Sequence, residues 1–257
     1  MLSLSQILSE YPEYLRTNKE SILKEYLQYK ILFSIFESKF ASKLAFLGGT
    51  ALRILHNNTR FSEDLDFDNF GMSEEEFLEL GTIIRKDLES EGLEVEISCK
   101  TKNAYRLNIR IPKVLFDLKL TSIASQKILI QVDTVSQNFK YVPEKPLLNK
   151  FEVFTQINAV PKDVLLAQKI YASVNRKRTM GRDFFDIVFL YGIGAKPNFD
   201  YLEKNIGVKN ETELKRYMLS ATQNMNFKLL ANDVEPFIFN NKDKNKVLMF
   251  REFLEQG

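Results

Sequence analysis

The chain has 257 residues, 44% hydrophobic and 27% charged, with 36 basic and 34 acidic side chains giving a net charge of +2. That length supports one large domain or two modest ones, each with its own core, and the near balance of charge does not mark a general nucleic-acid binder. A single cysteine, Cys99, excludes an intrachain disulfide and a cysteine-rich zinc site, and the single histidine, His56, is all that a Ser-His-Asp hydrolase could use.

The opening MLSLSQILSEYPEY lacks a basic stretch followed by an apolar one, and no apolar run approaches the length of a membrane span. The expectation is a cytosolic chain without an export or anchoring signal and without a membrane partner. From Lys19 to about Ser38, Ile22, Leu23, Tyr26, Leu27, Ile31, Ile35 and Phe36 recur at helical spacing and predict an amphipathic helix. Leu44 to Leu47 reads as a short strand, Gly48 and Gly49 as a tight turn, and Thr50 to about His56 as a helix capped by Thr50. A helix that starts at glycines offers bare amides to an anion. In the following SEDLDF, strand alternation puts Asp64 and Asp66 on one face and sends Leu65 and Phe67 into a core. Ser73 followed by Glu76 is a capping-box pattern that opens a helix to about Ser90, which Gly92 ends.

Strand-like patterns then follow in LEVEISCK, AYRLNIRI, VLFDLKL and KILIQVDTV, and predict a mixed sheet. In the last of these Ile128, Ile130 and Val132 share one face while Leu129, Gln131 and Asp133 share the other, so Asp133 is a third strand-borne carboxylate. PEKPLLN reads as a turn and FEVFTQI as a final strand. Beyond Pro161 the pattern is helical, with a break from Gly192 to Pro197. The organisation expected is therefore α+β: a core over residues 1–160 with N-terminal helices, and a helical domain over 161–257 that completes the active-site cleft.

Two-metal phosphoryl or nucleotidyl transfer needs carboxylates that hold divalent ions against a triphosphate. Asp64, Asp66 and Asp133 meet that demand, Gly48, Gly49 and Thr50 open a helix suited to phosphate, and the Ser62 hydroxyl stands just before the carboxylates. An acidic alternation is also ordinary on a solvated edge strand, so Asp-x-Asp alone is weak; the preceding GGTALR and RFS strengthen it. In LLAQKIYASVNRKRTMGRDFFDIVFL, Lys169 and Arg176 are seven apart, two helical turns, and predict a basic groove with Ala172 and Ser173 between them. Asp183 and Asp186 share a face opposite Phe185, Val188 and Phe189, with a local Arg182–Asp186 ion pair as the plain structural account. Arg53, Arg60 and His56 read as ion-pair, surface or packing residues.

The run EYLQYKILFSIFESKFASKLAFLGGTALRILHNNTRFSEDLDF, with LLAQKIYASVNRKRTMGRDFFDI about a hundred residues later, resembles the AbiEii-type nucleotidyltransferases. These are toxins of bacterial abortive-infection and type IV toxin–antitoxin pairs. The resemblance implies a polymerase-β-like nucleotidyltransferase fold, a mixed sheet flanked by helices with a C-terminal helical domain. It implies an enzyme that uses an NTP with Mg²⁺ or Mn²⁺ to extend an RNA acceptor, a tRNA 3′ end, and an antitoxin encoded elsewhere. By position it assigns Gly48, Gly49 and Ser62 to the triphosphate, Asp64 and Asp66 to metal, Lys169 to phosphate, and Asp186 to the late acidic place of the RDxxD motif. The same site would serve a protein or small-molecule acceptor, and a non-catalytic nucleotide-binding module is the alternative of a different class.

Overall fold

The structure is a computed structural model and describes residues 1–102 and 104–256. The chain forms two compact units, one of Met1–Leu55 with Ser62–Ala159, the other of His56–Phe61 with the chain from Val160 onward. The helices are α1 (Leu4–Ser9), α2 (Lys19–Phe36), α3 (Gly48–His56), α4 (Glu74–Ser90), α5 (Val114–Asp117), α6 (Lys162–Asn175), α7 (Gly181–Gly192), α8 (Phe199–Ile206), α9 (Glu211–Ala221), α10 (Phe227–Val234), α11 (Asn245–Leu248) and α12 (Phe250–Gln256). The strands are β1 (Leu44–Leu47), β2 (Leu65–Asn69), β3 (Glu96–Lys100), β4 (Tyr105–Ile111), β5 (Ile128–Val135), β6 (Leu147–Lys150) and β7 (Val153–Gln156).

In the first unit five strands pair in the order β1-β2-β5-β4-β3, with only the β2–β5 pair parallel. This is the expected mixed sheet, and β5 is its central strand. Alternation divides the sheet cleanly. Leu65, Phe67, Leu107, Ile109, Ile130 and Val132 are buried, and aromatic pairs on this apolar side join α2 to β2 (Phe36–Phe67, 6.1 Å) and α4 to β4 (Phe77–Tyr105, 5.4 Å). The Ser73 hydroxyl and Glu76 form the expected capping box, and α4 ends at Ser90 with Gly92 at φ +87°.

VLFDLKL is not a strand: Lys113 takes a left-handed conformation (φ 61°) and Val114–Asp117 form one helical turn, because Val114 and Leu115 bury as neighbours rather than alternating. PEKPLLN is only partly a turn, since Leu147–Lys150 pairs antiparallel with Val153–Gln156 as a two-stranded ribbon.

The second unit is helical around Phe184, whose ring meets Phe250 at 4.8 Å and Phe227 at 5.3 Å. A Cβ at Gly181 would overlap the Leu230 carbonyl, so glycine alone lets α7 begin this close to α10. The segment His56–Phe61 belongs here: Phe61 N–H donates to Phe237 O at 2.8 Å and Phe239 N–H to Thr59 O at 3.0 Å. Among the described residues no helix is long and apolar enough to cross a membrane.

Candidate active site

Strand register assembles a row of chemistry across the sheet unit. Asp66 on β2 pairs with Asp133 on β5, and Asp133 pairs with Arg106 on β4. Paired residues of adjacent strands project from the same face, so two carboxylates and a guanidinium stand side by side opposite the apolar face. Arg106 clasps Asp133 with Nε to Oδ1 at 2.7 Å and Nη2 to Oδ2 at 2.6 Å. Asp64 lies one residue ahead of β2. Burial, the neighbouring Glu63 and Asp133 push its carboxyl upward, against the pull of Lys24 and the Gln131 backbone amide.

The start of α3 is fitted to this row. Gly48 sits at φ +83°, and a Cβ there would overlap Asp66 Oδ2, so the glycine both makes the turn and leaves room for the carboxylate. The helix begins at Gly48 rather than Thr50, which changes the part Thr50 plays. Instead of capping, its fully buried hydroxyl donates to the Asp64 carbonyl. Gln28 completes the support from α2, its side-chain amide donating to the carbonyls of Ser62 at 3.0 Å and Glu63 at 2.9 Å. In the sequence Gln28 is a polar residue between Leu27 and Tyr29, and in the fold it is 1% exposed with its amide satisfied by these two carbonyls. Arg53 is an ion-pair residue, joined to buried Glu25 at 2.8 Å. Asp68, next on the Asp64/Asp66 face, differs from both: it accepts from Gln137 N–H at 2.8 Å and Tyr141 O–H at 2.7 Å, and so fastens the chain after β5.

Among the described residues no three His, Cys, Asp or Glu side chains form a ready metal cage. Mg²⁺ does not require one, because it is ordinarily held by one or two carboxylates with phosphates and waters. The oxygen donors of Asp64 and Asp66 beside the glycine turn fit such an ion, with Asp133 as the third carboxylate in register.

The helical unit holds the second constellation, where the expected basic groove gives way to a mixed-charge cluster. Lys169 is 9% exposed and lies 3.0 Å from Asp183 Oδ1 and 2.9 Å from Asp186 Oδ2. Burial works against its charge, but Asp186 and Asp183 outweigh it and raise the lysine. Arg176 follows the last residue of α6 in extended conformation and brings Nη1 to 3.5 Å from Asp183 Oδ2. At that length it is an ion pair without a hydrogen bond, and Asp183 Oδ2 has no hydrogen-bond donor among the described residues.

The Arg182 guanidinium lies over the Phe237 ring at 4.6 Å. Asp186 is held by Arg60, Nε to Oδ1 at 2.8 Å and Nη2 to Oδ2 at 2.6 Å, and by Asn58 Nδ2 at 2.8 Å. Although burial favours its neutral form, Arg60 and Lys169 hold the Asp186 carboxyl down at about 2. The inward apolar side of α7 is Phe184, Ile187 and Leu190 together with Phe185, while Val188 and Phe189 are half-buried. His56, lowered to about 4 by burial and Lys162, is neutral and unsuited to act as a base near pH 7.

A five-stranded mixed sheet with a paired-carboxylate row beside a glycine turn is consistent with the nucleotidyltransferase class of fold. The family model described as "Nucleotidyl transferase AbiEii toxin, Type IV TA system" matches residues 30–253, and the chain belongs to that family. It is a family of nucleotidyltransferase toxins from type IV toxin–antitoxin systems. Two crystal structures from Helicobacter pylori share the fold. JHP933 is 17% identical with a TM-score of 0.52, over 92% of this chain and 90% of its own. The other, provisionally described as a nucleotidyltransferase, is 18% identical with a TM-score of 0.53, over 92% and 93%. No curated protein matches the chain.

Proposed function

We propose that the protein is a divalent-metal-dependent nucleotidyltransferase that moves NMP from an NTP to RNA, a tRNA 3′ end, and thereby acts as the toxin of a toxin–antitoxin pair whose antitoxin is encoded elsewhere. The observation that carries this reading is the Asp66–Asp133 register beside the Gly48 turn, in a chain that belongs to the AbiEii family.

Asp64 and Asp66 hold the ion, Mg²⁺ or Mn²⁺, with Asp133 as third carboxylate. When bound, such an ion neutralises triphosphate charge and orients the α-phosphate. Backbone amides of Gly48 and Gly49 at the start of α3, with the Ser62 hydroxyl, bind phosphate oxygens. Thr50 and Gln28 act behind them by fixing the Ser62–Asp64 backbone. In the helical unit Lys169 is held by Asp183 and Asp186, the latter fixed in turn by Arg60. The acceptor hydroxyl oxygen forms the new bond to the α-phosphorus, the bond to the β-phosphate oxygen breaks, pyrophosphate leaves, and the hydroxyl proton passes to a base.

The test is transfer of label from each α-³²P-NTP to total bacterial RNA, run with and without RNase treatment of the acceptor pool. Label in a tRNA-sized band that RNase abolishes supports the RNA acceptor; label that survives RNase assigns a protein or small-molecule hydroxyl instead.

A further inference from the structure

We infer that Arg106 is a built-in counter-cation of the carboxylate row, a latch that keeps Asp133 occupied until a divalent ion recruits that carboxylate and displaces the guanidinium. The inference rests on the metal-site reading of Asp64, Asp66 and Asp133 given above.

Three observations carry it. First, the register aligns Asp66, Asp133 and Arg106 across three adjacent strands, so the guanidinium stands on the same face and in the same row as the carboxylates. Second, the contact is bidentate, at 2.7 and 2.6 Å, and engages both oxygens of Asp133. The guanidinium fork donates into the carboxylate lone-pair directions that a metal ion would otherwise use. Third, the pair is only half withdrawn from water, with side chains 46% and 26% exposed, whereas Arg60 and Asp186 are 2% and 0% exposed.

The contrast in exposure separates the two arginine clasps by purpose. A pair sealed in a core is costly to separate, because each charge left behind is unsolvated. A half-exposed pair is weak and exchangeable, since water or another ligand can receive both partners. Arg106 also feels the carboxylates of Asp64 and Asp66 in addition to Asp133, so it moderates the repulsion of the whole row. Arginine suits this role because it stays charged at any working pH and its planar fork can pass from a carboxylate to a phosphate. The latch lowers the row's affinity for free metal ions and makes recruitment of Asp133 conditional on a competitor strong enough to replace the guanidinium.

The direct test is Mn²⁺ binding without nucleotide, read from the loss of the free-ion electron paramagnetic resonance signal. The samples are the intact chain, Arg106→Gln, Arg106→Lys, Asp133→Asn and the double variant Arg106→Gln/Asp133→Asn, each checked for folding by circular dichroism. Arg106→Gln is expected to bind Mn²⁺ about fivefold or more tighter than the intact chain, roughly 1 kcal/mol. Arg106→Lys should lie between them, because it keeps the charge and loses the fork. The gain should vanish in the double variant, since the liberated carboxylate is then gone. If the intact chain binds Mn²⁺ and Arg106→Gln binds it no tighter, the latch is overturned while the metal site stands. If no sample binds Mn²⁺, the metal-site reading and the latch fall together.

Discussion

Arg60 and Asp186, 126 residues apart in sequence, meet in the helical unit through two hydrogen bonds of 2.8 and 2.6 Å, and both are almost fully buried. Asp186 is also the partner of Lys169, which Asp183 shares, so two cations and two carboxylates balance one another inside the core. Removing one charge strands the others. Asp186→Asn should cost about 3–5 kcal/mol of stability, seen as a lower urea midpoint. Arg60→Met in the same assay should be destabilising for the same reason, and the double variant should lose less than the sum of the two.

Which parts of this arrangement the sequence displays follows from how local each signal is. The β5 alternation, the Ser73/Glu76 capping box and the Leu44–Leu47 strand before the glycines depend on neighbouring residues and are legible in the chain. Arg60–Asp186 and Arg106–Asp133 are not, because partners 126 and 27 residues apart have no fixed spacing. Thr50 reads as a helix cap in the sequence and Gln28 carries no local signal of its role, because the carbonyls both donate to are set by tertiary packing. The 114–117 turn is not legible because the end of VLFDLKL alternates like a strand, while its consecutive apolar residues Val114, Leu115 and Phe116 fit one helical turn equally well.

Gly48 is the most sensitive small residue of the candidate site. Alanine there would have to adopt φ +83° and would meet the Asp66 carboxylate. Gly48→Ala should therefore lower turnover sharply while costing only about 1–3 kcal/mol of stability. The comparison to make is steady-state kinetics beside a thermal melt. Gly92→Ala is the control, because it has a similar φ of +87° with nothing near its Cβ, and it should show the strain without the loss of activity.

Thr50→Val removes the donor to the Asp64 carbonyl and keeps the side-chain shape. The expected stability loss is about 0.5–1.5 kcal/mol for one buried hydrogen bond. Turnover should fall more than NTP affinity, because the hydroxyl positions a carboxylate rather than a phosphate. A Thr50→Ser variant should restore most of the activity.

His56 gives a pH signature. Burial, with Lys162 adding to it, lowers its folded-state value to about 4 from an ordinary 6.5. The unfolded chain therefore takes up a proton on His56 first as pH falls, and stability declines between pH 6.5 and 4, levelling off below that for this group. Asp186, held at about 2 against an ordinary 3.8, adds its own loss as pH falls through the ordinary carboxylate range towards 2. A series of melting temperatures from pH 7 to 4 should show the first decline, and His56→Gln should flatten it.

The central claim is that Asp64 and Asp66 support metal-dependent nucleotidyl transfer. The most direct measurement is incubation of the purified chain with each α-³²P-NTP, Mg²⁺ and total bacterial RNA, beside folded Asp64→Ala/Asp66→Ala protein and an EDTA control. The account predicts label in a tRNA-sized band with the intact carboxylates and Mg²⁺ alone. Equal labelling by the double variant, or no labelling of any acceptor with any NTP, would contradict it.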